Sequence, residues 1–144
     1  MTTPSSSLRA MRIASVITAV NVIVAAGFSI VGLIYPASIL PAHYVPTVAS
    51  SLFAMYAAAR TIPLAVFTLV AIFKRSASAL LTMGTLAGVI QLLDSIVGMV
   101  QLDPGKLLGP LVIAVLQFYA LATLRKSAHR QPRRPPVEFR DVTL

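Results

Sequence analysis

Cysteine is absent from this 144-residue chain. Disulfides, thiol catalysis and cysteine-ligated zinc are therefore excluded. Charge is also scarce. Only 11% of the residues are Asp, Glu, Lys or Arg, against about a quarter in a typical soluble domain. The acidic residues number four and the histidines two. His43 stands in a connecting segment and His129 in the C-terminal flank, and nothing pairs them as metal ligands. No metal and no cofactor are expected.

What is present is hydrophobic. Apolar residues make up 57% of the chain, and its mean hydropathy is +0.85. So few charges could not cover that much apolar surface in water. The net charge of +8 does not describe a nucleic-acid-binding face, because six of the twelve basic residues follow Leu124 in a tail. No nucleic-acid partner is expected.

A helix needs ~20 mostly apolar residues to span a bilayer. Four runs approach or exceed this: 13–34, 50–73, 77–100 and 107–124. Arg9 and Arg12 ahead of the first run resemble the start of a signal peptide. The run is longer than a signal's apolar region, however, and no A-x-A cleavage site follows it. It reads as an uncleaved span.

Basic residues in the connections set the orientation. Arg9, Arg12, Lys74, Arg75 and the six in the tail fall on one side, and Lys106 alone on the other. Residues 1–12 and the tail 125–144 are therefore expected in the cytoplasm. The tail is basic and proline-rich, so it reads as disordered and attractive to anionic membrane lipid. "PRRP" and the terminal "VTL" are weak docking patterns within it. The expected architecture is an all-α, integral membrane four-helix bundle, multi-pass, with both termini inside.

Two ionisable residues interrupt the spans, Arg60 in the second and Asp94 in the third. At the rise of a helix they fall ~15 Å and ~10 Å below the outer edge. Side chains lean toward the N-terminus of their own helix, so the two heads converge. An unpaired charge in hydrocarbon costs ~2.5–3.5 kcal/mol even on a lenient scale. The expectation is a buried Arg60–Asp94 ion pair. Gln91, one turn from Asp94, is either a member of that network or a ligand contact. Phe53, Tyr56, Leu64 and Phe67 share the Arg60 side of span two, and Tyr56 could hydrogen-bond the pair. Pro63 removes an N–H beside it. Asn21 of span one and Gln117 of span four form a second, deeper polar layer that can bond across helices.

Span three carries a stripe of small and polar residues: Gly84, Ala87, Gly88, Gln91, Asp94, Ser95 and Gly98. Gly84 and Gly88 form a G-x-x-x-G, which packs either inside the bundle or along a homodimer seam.

The stretch from Ala57 to about Val100 resembles small four-span bacterial membrane proteins loosely related to the DoxX-like family. The shared features are Arg60, the Lys74–Arg75 pair and the "QLLD" of Gln91 to Asp94. The resemblance implies a four-helix bundle with a polar pair in a bacterial inner membrane and brings no established reaction with it.

Three functions follow as expectations. The first is a binding or accessory module, holding a lipophilic small molecule against Phe53, Tyr56, Gln91 and Phe67 or docking a membrane partner. The second is a small membrane enzyme in which Asp94, held by Arg60, moves a proton in isomerisation, cyclisation or epoxide opening of an isoprenoid-like substrate. The third is a dimeric transporter.

Overall fold

The computed structural model describes residues 4–41 and 43–129. Among them are four α-helices: α1 (Pro4–Ile34), α2 (Val48–Phe73), α3 (Ala77–Val100) and α4 (Pro104–His129). A 3₁₀ turn, Pro36–Ser38, follows α1. Each long helix is long and apolar enough to cross a membrane, with mean hydropathy of 1.7–2.3 over its most apolar window.

α1 and α4 reach past the apolar runs into the basic flanks. Pro4 suits the first turn of a helix, where its missing N–H would have no partner. At the other end, "RKSAH" holds no proline or glycine to stop α4, so Arg125 to His129 are helical rather than part of a disordered tail. The rest of that tail, with "PRRP" and "VTL", lies outside the described residues.

The short connections are fixed by caps. Thr47 opens α2: its hydroxyl accepts from the Ser50 N–H at 3.1 Å, and the Ser50 hydroxyl accepts from the Thr47 N–H at 2.8 Å. Ser76 caps α3 by accepting from the Ala79 N–H. α2 and α3 end alike. The Ser76 N–H returns to the Ala71 carbonyl and the Arg75 N–H to Ile72; the Asp103 N–H returns to Gly98 and the Leu102 N–H to Met99. These are Schellman closures, which need a left-handed residue. Arg75 (φ 51°) and Leu102 (φ 55°) take that conformation without being glycine.

Consecutive helices run antiparallel. Near the end that carries the starts of α1 and α3 and the finishes of α2 and α4, Ala14, Leu80, Ala120 and Leu124 form one buried cluster, joined by Ile72. In the middle, Val22, Ala65 and Ala87 form a second, joined by Leu69. α3 packs most closely on α4, α2 on α1, and α1 on α4, whereas α2 and α3 touch only sparingly. The order around the bundle is thus α2, α1, α4, α3, with an open groove between α2 and α3.

The buried residues are mostly small, and large apolar side chains such as Phe28, Ile34, Phe73 and Val100 point outward. That inversion suits lipid. Helices gain nothing by hiding leucine from hydrocarbon, so close packing of small residues is what joins them. The α3 glycine stripe serves this purpose inside the chain. A Cβ on Gly84 would lie 2.8 Å from the Gln117 amide, and one on Gly88 would lie 3.0 Å from the Phe118 ring. α4 therefore occupies the seam that a homodimer through Gly84 and Gly88 would need.

Candidate functional site

The centre of the bundle holds a chain of uncharged polar groups. The Gln91 amide donates to the Asn21 carbonyl oxygen at 2.7 Å. The Asn21 amide donates to the Gln117 carbonyl oxygen at 3.2 Å. The Gln117 amide in turn donates to the Thr18 hydroxyl at 2.8 Å. The chain joins α3, α1 and α4. All four residues are buried, with Asn21 at 1% exposure and Thr18 and Gln117 at 0%. No buried side-chain polar atom among the described residues lacks a partner. In a low-dielectric interior such a network fixes which helix faces meet. Gln91, expected beside Asp94, belongs here instead. Thr18 was not singled out from the sequence, although it stands one turn from Asn21 on the same face of α1.

The expected Arg60–Asp94 ion pair does not form. Arg60 and Asp94 are both exposed, and the ion pair among the described residues is Lys106 with Asp103. The reason is the packing order. α2 leans on α1 rather than on α3, and the amides of Asn21, Gln91 and Gln117 already fill the core. The other members of the α3 stripe are buried, while Asp94 sits at the edge of that stripe and faces outward.

Asp94 and Arg60 nevertheless border the same groove. At ~100° per residue, Asp94 lies within about 60° of Ala87, Ile90 and Gln91. Those three residues line the crevice between α3, α1 and α2. The other flank of α3, with Gly84 and Gly88, meets α4. On α2, Arg60 lies about 40° from Leu64, which lines the same crevice. The levels also agree. Counting from the Ala65–Ala87 cluster, Arg60 is about 7.5 Å and Asp94 about 10.5 Å toward the end that carries the start of α2 and the finish of α3.

Phe53, Tyr56 and Phe67 fall within about 40° of Arg60 around α2. Their exposures are 71%, 54% and 66%. They make an outward aromatic stripe rather than an enclosed pocket, and Tyr56 does not hydrogen-bond Arg60 or Asp94. The crevice behind them is lined by Asn21, Val22, Thr61, Leu64, Ile90 and Gln91, among others, and its void of about 10 Å³ admits about one water molecule.

At the far end of the bundle a second polar group ties the loops. The Lys106 ammonium donates to the Ile39 carbonyl and to the Gln101 side chain, each at 3.0 Å, and lies 3.5 Å from the Asp103 carboxylate. Asp103 caps α4 by accepting from the N–H groups of Gly105 (3.0 Å) and Lys106 (3.2 Å). The Lys106 N–H is the main cause that holds this carboxyl below its ordinary value of 3.8, helped by the Gly105 N–H and the Lys106 charge. Among the described residues no group of three or more His, Asp or Glu side chains could hold a metal ion.

No family model, no curated protein and no solved structure matches the chain.

Proposed function

We propose that this small polytopic membrane protein is a binding or accessory module, whose outward α2–α3 face docks a partner inside the membrane. One observation carries the reading. Two residues of opposite charge, Arg60 and Asp94, are exposed in helices apolar enough to span a bilayer, and neither finds a counter-charge among the described residues. Hydrocarbon against them costs ~2.5–3.5 kcal/mol apiece on the lenient scale, so a polar contact from outside the bundle is strongly favoured.

The other expectations have less support. A lipophilic small molecule inside the bundle would need far more room than about 10 Å³. Enzymatic use of Asp94 calls for a proton-handling neighbour, and none of Arg60, Tyr56 or Gln91 is hydrogen-bonded to it. Transport needs a polar path, whereas the central amides are all engaged with one another. The bacterial inner membrane, cytoplasmic termini and kinship with DoxX-like proteins belong to the same proposal. Their support is the basic residues clustered at one end of the bundle, and Arg60, Lys74, Arg75 and Gln91 to Asp94.

The test is extraction in a lipid-preserving polymer, followed by native mass spectrometry of the intact complexes formed by wild type and by Asp94→Asn, which resolves a lipid, another protein or a second copy of the chain as companion. A defined companion of wild type, depleted by Asp94→Asn, supports docking. Identical companions for both chains, or none beyond bulk lipid, would count against it.

A further inference from the structure

We infer that the occupant of the α2–α3 face is a second copy of the same chain, held by two reciprocal ion pairs. Arg60 of each copy meets Asp94 of the other. The inference rests on the docking reading above and names its partner.

Charge complementarity carries the choice. Arg60 and Asp94 border one groove from opposite sides, one on α2 and one on α3. A face that carries both signs is complementary to itself under a twofold rotation. Two copies inserted with the same orientation are related by an axis along the membrane normal, and that operation leaves every residue at its own depth. Arg60 must therefore already match Asp94 in level, and it does to within about 3 Å at the backbone. The side chains close the remainder. Arg60 leans toward the start of α2 and Asp94 toward the start of α3, so the heads approach each other's level. Within one chain the two groups are level but separated by the groove, and a second copy spans that separation.

The alternatives fit less well. Arg60 lies twelve residues into α2, about 18 Å along the helix. The hydrocarbon half-thickness is about 15 Å, so lipid headgroups sit well away from it. A neutral lipophile would answer neither charge. Guanidinium to carboxylate can make two parallel hydrogen bonds. Phe53 and Phe67 stand about two turns to either side of Arg60 on its own stripe, and they would seal the pairs from lipid as an apolar rim does at other interfaces.

The pairing makes an exchange test possible. Arg60→Asp and Asp94→Arg chains, each alone, place like charges together and lose self-association. Mixed, they restore both pairs, because each supplies the sign the other lacks. A clasp within one chain could not be rescued this way. Full-length chains carrying two different affinity tags are co-expressed, and capture of one by the other is measured in lipid nanodiscs. Wild type captures itself. Each single variant captures itself at least about tenfold less, and the mixture returns to within about threefold of wild type.

A second measurement covers the case in which a variant folds poorly. The chain has no cysteine, so Phe67→Cys alone reports proximity through a bifunctional thiol reagent long enough to bridge two α2 helices that lie diagonally across the twofold axis. It yields a covalent dimer, whereas Tyr119→Cys on α4 does not. Monomeric wild type, or failure of the mixture to recover while Phe67→Cys stays uncross-linked, overturns the dimer. If the nanodisc protein is monomeric yet still holds an Asp94-dependent companion of another kind, the dimer falls and the docking reading stands.

Discussion

At the scale of single residues, burial sorted the polar groups by charge. The amides went inside and the ions stayed out. Asn21, Gln91, Gln117 and Thr18 are joined to one another by three hydrogen bonds, a place an ion could take only after losing its hydration. The pairing of Asn21 with Gln117 was legible because both stand at one depth in their spans. The position of Asp94 was not, because a periodic stripe specifies a face but not its edge. Gln117→Leu removes two hydrogen bonds and strands Asn21 and Thr18. It is expected to destabilise the bundle by ~1–3 kcal/mol, measured by steric-trap or denaturant unfolding in detergent, and Thr123→Ala on the same helix by less than half as much. The two left-handed helix ends make the opposite prediction. Leu102 is 88% exposed with φ 55°. Leu102→Gly should raise stability by roughly 0.5–1 kcal/mol by relieving the Cβ clash of that conformation, as an upward shift of the thermal midpoint.

At the scale of elements, helix lengths follow from apolar runs and breakers, and the caps at Thr47, Ser76 and Asp103 set where helices begin. The overrun of α4 to His129 was not legible from hydropathy, because a helix needs no apolar residues to continue past the membrane edge. The contact of α3 with α4 is closest at Gly98, where an added Cβ would overlap the Lys106 backbone carbonyl and the Leu107 nitrogen. Backbone there cannot swing aside as a side chain can. Gly98→Ala is therefore expected to cost more than Gly88→Ala, about 2 kcal/mol or more, with Gly105→Ala close to neutral. The Asp103 cap adds a pH dependence. Its carboxyl titrates below 3.8 in the folded chain. The cap is fully present above the unfolded value, and its contribution is lost as pH falls through the lowered folded one. Acid titration of helicity should show this loss in wild type, and Asp103→Asn should remove it.

At the scale of the whole molecule, the four-helix bundle was legible because composition left no other way to cover so apolar a chain. The order α2, α1, α4, α3 was not, since hydropathy ranks helices by depth and says nothing about neighbours. That order is what opens the α2–α3 groove and leaves Arg60 and Asp94 facing out. The central claim is that this outward face is occupied in the membrane. The most direct measurement is photo-cross-linking in intact membranes, with a photoreactive residue at Phe67 on that face or at Tyr119 on α4. The account predicts one adduct of defined mass from Phe67 that Asp94→Asn abolishes, and only diffuse lipid labelling from Tyr119. Equal, diffuse labelling from both positions would contradict it.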